Sequence, residues 1–472
     1  MSRNLLLILL IGFSLLAIVY SEQELQMVVE LFRHGARGPI FYDPWYIWDH
    51  EGELTPNGAR MHFVLGRELK KRYAGFLPAE FDPSLIRVQS TNFNRTIQSA
   101  LSQLYGIFST DNDTTCPHLI PDYNSSLTNP PDNLFINETS DGHSCVYPQR
   151  LNAIPVHVTG FGFDYILKSY FGETCSYMNN LTFMMTDDLF TPKYQAFREE
   201  IQPIVEESVN RRWIPSVNAS SREAFLQTAF LWDVIIANYN YGNEVPMEPG
   251  DELWTKYQYA FDVVSQIIWN SHPLQYQLGS ANFLNAVLEH FNNKVKNQTT
   301  YKFLFYSAHD SNIVPILTAL NQLSVECLLE RYRNTSFNNP VCTFPTYASN
   351  ILFELWRDSE NPSEYRVKVI YNDMVLQLCG QDTCDLNSFA NVISVAEGGQ
   401  TLNKYFSTCN YGPSPMTTPG ILAPMENLAW LETMLFVLMI VLTIGVIISL
   451  KRKVVNTLQT SETEMKPQVS EA

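Results

Sequence analysis

The chain has 472 residues, 45% of them hydrophobic, and a formal charge of −17 at pH 7. That length can hold a large core and two or three domains, while the acidic balance excludes nucleic acid and a polybasic membrane surface as partners. Eight cysteines stand without metal-ligand spacing, so disulfides are expected and no metal or other cofactor is.

In chain order, Arg3 followed by the apolar run Leu5 to Tyr20 predicts a signal peptide over 1–21. "LQMVVELFR" reads as a strand covered on both faces, because its apolar character is almost continuous. It runs into "HGARGP". A helix follows, capped by Thr55 with Pro56 at its first position and Met61, Phe63, Val64, Leu65 and Leu69 as apolar positions. "SLIRVQST" predicts a second strand and Thr96 to Phe108 a second helix, a β-α-β-α order that signals a parallel sheet. Residues 111–148 read as loop. Segments such as "DELWTKYQYAFDVVSQIIW" predict a helical insertion over about 150–298. "KFLFYSAHD" returns to a strand, with a helix from Ser311 to Leu323. "ASNILFELW" and "EYRVKVIYND" read as the last two strands, antiparallel to each other. Both halves of the chain thus build one core, about 24–110 and 300–410, within a domain over 22–425.

Beyond it, Thr433 to Leu450 carries no charge, and with Ala429 onward it predicts a membrane span over 429–450. Lys451, Arg452 and Lys453 place the tail, 451–472, in the cytosol. The expected topology is single-pass type I, with the large domain lumenal or extracellular. Sequons at Asn94, Asn112, Asn124, Asn137, Asn180, Asn218, Asn297 and Asn334 all precede the span and agree with it. Cys379 and Cys384 stand close enough to staple a local loop, whereas the pairing of Cys116, Cys145, Cys175, Cys327, Cys342 and Cys409 is open.

Three predicted strands end in unusual residues, at the edge where open α/β sheets form their sites. The first delivers Arg33, His34 and Arg37; the second, Arg95; the third, His309 and Asp310. Three arginines, two histidines and one carboxylate make a basic pocket. Guanidinium forks match tetrahedral oxyanions, which points to phosphate. The remaining histidines read as structural or surface residues, with His157 the nearest rival for a place by the substrate.

These segments resemble the histidine acid phosphatase family, branch 2 of the histidine phosphatase superfamily. "RHGARGP" is similar to its RHGxRxP signature and "SAHD" to its second motif, and "VQSTNFNRTIQSA" and the Thr55 helix are similar to its intervening blocks. The resemblance spans about Val28 to Cys409. It implies an α/β three-layer sandwich, a mostly parallel central sheet flanked by helices, with a helical insertion. It also implies that His34 is a nucleophile that becomes phosphohistidine. Arg33, Arg37 and Arg95 would hold phosphate oxygens with His309 as a further donor, and Asp310 would protonate the leaving group. Acid phosphatases of the prostatic and lysosomal kind carry a cysteine just before the strand resembling "ILFELW". Asn350 stands there in this chain, so one family disulfide is absent or rewired.

The expected partners are small phosphomonoester substrates, and a homodimer is left open. A phytase needs a basic rim that so acidic a chain does not suggest, and a lipid phosphatase fits the anchor without being required by it. An inactive receptor on the same scaffold would have lost His34 or Asp310. Lysosome and cell surface both stand open, because the tail holds neither a tyrosine nor a dileucine signal.

Overall fold

The computed structural model describes residues 23–108 and 154–411, apart from positions 161–162, 171, 173, 335, 338 and 400–401. The signal peptide, the span, the tail, Cys116, Cys145 and the loop over 111–148 lie outside the described residues. Among those residues no helix is long and apolar enough to cross a membrane.

The first strand, β1 (Gln23–Arg33), is buried from Met27 onward and alternates between two cores. Met27, Val29 and Leu31 face the larger core; Val28 and Phe32 face the smaller. The smaller core is covered by α1 (Pro56–Arg72) and α2 (Asn94–Phe108), on either side of β2 (Ile86–Ser90) in sequence. Thr55 caps α1 as expected, accepting from the Gly58 N–H at 3.1 Å. The buried face of α1 differs from the expected one. Gly58, His62, Gly66 and Leu69 point inward, while Phe63 and Val64 are exposed. The physical reason is close approach: a Cβ on Gly66 would overlap the Gln103 carbonyl of α2, so backbone meets backbone there.

A short strand β3 (His157–Val158) leads into the helical region, made of α3 (Ser176–Asp188), α4 (Gln195–Asn210), α5 (Arg222–Tyr241), α6 (Glu252–Asn270) and α7 (Pro273–Val295). The chain then returns as β4 (Phe303–Ala308), α8 (Asp310–Ala319) and α9 (Val325–Arg333). β5 (Asn350–Asp358) and β6 (Tyr365–Tyr371) are antiparallel neighbours, as expected, but they are not the last strands. β7 (Met374–Val375), β8 (Cys384–Asp385), α10 (Leu386–Ala396) and α11 (Leu402–Tyr411) follow. Segments of two residues carry no periodicity that a sequence reading could detect.

The sheet order is β3-β2-β4-β1-β5-β6-β7, with β8 on β6. Its first four strands are mutually parallel, and β5 onward pair antiparallel. β2, β4 and β1 therefore lie side by side and end together, with Arg33 opposite Ala308 and Ser90 opposite Ser307. Disulfides join Cys175 to Cys409, Cys327 to Cys342 and the expected local pair Cys379 to Cys384. Asn350 forms no crosslink; its side chain instead donates to buried Glu30 at 2.8 Å.

Candidate active site

The backbone after β1 is pinned before any side chain acts. The His34 N–H donates to the Ala308 carbonyl at 3.0 Å, and the Gly35 N–H to Ser99 Oγ at 3.1 Å. Gly35 lies against the start of α1, where a Cβ would overlap the Gly58 carbonyl. Glycine is what lets the helix close over the loop.

His34 is 2% exposed, and its Nδ1 lies 2.8 Å from the Gly35 carbonyl. A carbonyl oxygen only accepts, so Nδ1 carries the proton and Nε2 keeps its lone pair. Burial, then His309, then the guanidiniums of Arg33, Arg95 and Arg37 push the His34 pKa well below its usual 6.5. The imidazole is neutral.

Arg33 bridges several partners. One Nη donates to the Pro345 carbonyl at 2.5 Å, the other pairs with Asp310 Oδ2 at 2.8 Å, and the guanidinium lies 4.5 Å from the Tyr347 ring centre. Arg37 forms a forked pair with Asp233 on α5, at 2.6 and 3.2 Å. Burial disfavours its charge, but Asp233, together with Tyr347 and Asp310, raises the Arg37 pKa. Arg95 begins α2, stands over the Phe93 ring at 4.4 Å and reaches the Gly52 carbonyl at 3.4 Å. Burial and Arg37 lower its pKa to about 10, so it stays charged at neutral and acid pH.

His309 and Asp310 stand where β4 passes into α8. Asp310 is the first helical residue and its side chain is 25% exposed. His309 is held more tightly: Nε2 lies 3.0 Å from Thr91 Oγ1. The Thr96 hydroxyl donates to backbone carbonyls and sits 2.9 Å from Thr91 Oγ1, so the Thr91 proton goes to Thr96 and Thr91 accepts from His309. The Nε2 proton of His309 is thus already in use. Burial, then Arg95 and Lys168, keep this ring neutral as well.

All six expected residues converge, and the rings of His34 and His309 meet edge to face at 5.4 Å. His157 does not join them; it is exposed on the edge strand. Three residues that the sequence reading did not single out do join. Asp233 holds Arg37. Lys168, 2% exposed, places its Nζ 4.2 Å from the Phe93 ring centre, so two cations share that ring. Tyr347 has a buried hydroxyl without a hydrogen-bond partner among the described residues, beside Arg33 and 6.0 Å from His34 between ring centres. A signal existed for two of them: ionisable residues interrupt the apolar runs "FLWDVII" and "YILKSY". The Nε atoms of Arg33, Arg37 and Arg95 are also buried without partners among the described residues. Four cations gathered here, with three buried guanidinium nitrogens unpartnered among the described residues, make a pocket suited to an anion.

Comparison with known proteins agrees with that chemistry. The chain is 25% identical over 334 residues to lysosomal acid phosphatase of Pongo abelii, covering 68% of this chain and 69% of that protein. It is 23% identical over 385 residues to prostatic acid phosphatase of Bos taurus, covering 79% and 85%. The solved phytase of Klebsiella sp ASR1 shares the fold, with a TM-score of 0.52 at 15% identity over 85% of this chain and all of that one. The histidine phosphatase superfamily (branch 2) model matches residues 42–372, and the Arg33–Arg37 loop just before that region is tied into it by the β1–β4 ladder. The chain belongs to branch 2 of the histidine phosphatase superfamily.

Proposed function

We propose that the chain is an acid phosphatase that hydrolyses phosphate monoesters through a phosphohistidine at His34. The observation that carries this is a neutral imidazole with its Nε2 lone pair free, set among Arg33, Arg37 and Arg95. Phosphoryl transfer needs positioning and charge stabilisation above all, and three guanidiniums provide both. Nε2 attacks phosphorus, the P–O bond to the leaving group breaks, and Asp310 gives that oxygen a proton. Water then attacks the phosphohistidine, giving its proton to the Asp310 carboxylate. The P–N bond breaks, phosphate leaves and neutral His34 returns.

The contacts suggest how the acid is readied. Arg33 pairs with Asp310 at 2.8 Å in this structure, and an arriving phosphate competes for the same guanidinium. Drawing Arg33 to the substrate frees the Asp310 carboxyl to meet the leaving oxygen. Tyr347 donates its hydroxyl to a phosphate oxygen, and His309 contributes by exchanging Thr91 for one.

Mixing with a labelled monoester and quenching in alkaline denaturant should trap a base-stable, acid-labile phosphoenzyme. His34→Ala should remove the label and lower turnover on the order of 10⁴-fold or more. Undiminished labelling of that variant would overturn the assignment.

The same reading makes the protein a type I membrane glycoprotein, with the catalytic domain in a lumenal or extracellular space. Three disulfides support an oxidising compartment. Exposure of Asn180, Asn218 and Asn297 supports glycosylation.

A further inference from the structure

Beside the anion site lies an apolar concavity that phosphate chemistry does not use. The loop leaving Arg37 carries Ile40, Phe41 and Tyr42, all substantially exposed. Its backbone is fixed to the anion site, because the Ile40 N–H donates to Asp233 Oδ2 at 3.0 Å, on the carboxylate that holds Arg37. Phe41 then stacks on Phe230 of α5 at 5.0 Å, and Phe230 on Trp269 at 5.5 Å. Between this loop and α5 opens a cavity of about 520 Å³, lined by Phe41, Trp213, Ile214, Leu226, Phe230 and Leu231 among others. That volume lies within the range of small-molecule sites.

Charge narrows what can occupy it. Among the described residues the only charged one in the lining is Glu223, a carboxylate that repels a second phosphate. Distance narrows it further. Phe230 and Asp233 are one helical turn apart, so the cavity edge lies on the order of 10 Å from oxygens held by Arg37. A ring esterified directly to phosphorus ends short of that, whereas an extended chain spans it.

We propose that the cavity binds the alkyl chain of the leaving alcohol, making the enzyme selective for monoalkyl phosphates over small polar esters. This rests on the phosphomonoesterase reading and names its substrate class. The loop from Arg37 to Phe41 couples the two halves of the substrate: one end grips the phosphate and the other closes over the chain.

The test is a series from ethyl to octyl phosphate, below micellar concentrations, on the full chain. KM should fall about fourfold for each methylene once the chain reaches the cavity. Leu226→Asn and Phe41→Ser should cost at least tenfold more in kcat/KM on octyl than on ethyl phosphate. A flat series, or equal losses on both esters, would overturn the proposal. If no ester is hydrolysed, the phosphatase reading falls, and calorimetry with butyl to octyl phosphonates still decides about the cavity. Tightening with chain length that Leu226→Asn abolishes would support it. Length-independent binding, with an oligomer that dissociates in Leu226→Asn, would assign the cavity to a second copy of the chain and overturn it.

Discussion

The guanidinium and the carbonyl of Arg33 look into two polar regions that manage charge in opposite ways. In front of β1, Arg33 meets Asp310 and Arg37 meets Asp233, so charges stand as ion pairs. Behind it, His62 Nε2 lies 3.0 Å from the Arg33 carbonyl and its Nδ1 2.9 Å from the Gln103 side chain, which reaches Glu30 at 2.6 Å. Here charge is removed by protonation state. Burial raises the Glu30 pKa to about 8, against its Asn350 and Gln103 hydrogen bonds, and burial lowers that of His62 to about 4. Around pH 6 the His62–Gln103–Glu30 group is neutral, so it does not compete with the substrate for the arginines. Ion pairs belong where a ligand can exchange partners; neutral hydrogen bonds belong where none can enter.

The largest way to break this contrast is in front. Asp233→Ala leaves Arg37 buried without its counter-ion and should cost about 3–5 kcal/mol in urea unfolding. Inhibition by inorganic phosphate should weaken too, because a guanidinium that has lost its fork is no longer aimed. Unchanged unfolding would show that Arg37 finds water or another anion instead.

The back layer gives the next effect, and it depends on pH. Glu30 keeps its proton to about 8 when folded but releases it near 4.5 when unfolded. Its contribution to stability is therefore complete below 4.5 and drains away as pH climbs to about 8. His62 runs the other way, with stability present above 6.5 and lost as pH falls to about 4. Together they favour the fold between about 4.5 and 6.5. Glu30→Gln should match the wild type near pH 4.5 and exceed it at pH 8 by a few kcal/mol, on the order of 1.4 kcal/mol per pH interval crossed. Parallel stability curves would refute a protonated Glu30.

Asp310→Asn sharpens the front layer chemically. An alkyl alkoxide needs a proton to leave and a nitrophenolate hardly does. Phosphorylation of His34 by alkyl phosphates should slow on the order of a hundredfold, and by nitrophenyl phosphate far less. Equal losses in single-turnover measurements would pass the role to another residue, with His309 first in line.

The smallest effect concerns Asn94, which shares the first turn of α2 with Arg95 and lies 3.2 Å from Glu53 Oε1. A glycan there would crowd the mouth of the site. Glycopeptide mapping should find it unmodified while Asn180 and Asn218 are occupied; high occupancy at Asn94 would contradict that placement of α2.

That the six candidate residues share one edge of the sheet was legible because they follow one rule of α/β sheets. Arg33, His34, Arg37, Arg95, His309 and Asp310 all stand at or shortly past the ends of predicted strands, and strands announce themselves by apolar composition. β1, β2, α2, β4 and the β5–β6 pair were readable for the same reason. Periodicity failed on α1, where it favoured Phe63 and Val64. What buries Gly58 and Gly66 is the fit of one backbone against another, and side-chain hydrophobicity does not encode that. Asp233, Lys168 and Tyr347 come from the helical region and the segment before β5, far along the chain from the motifs they serve. Sequence by itself determined which groups are candidates for the chemistry, because a nucleophile and its oxyanion holders would have to be particular residues on particular local backbone. Only the tertiary structure decided which cations are paired, which proton His309 has already committed and where an apolar cavity lies, because those depend on distances between segments that local propensities leave free.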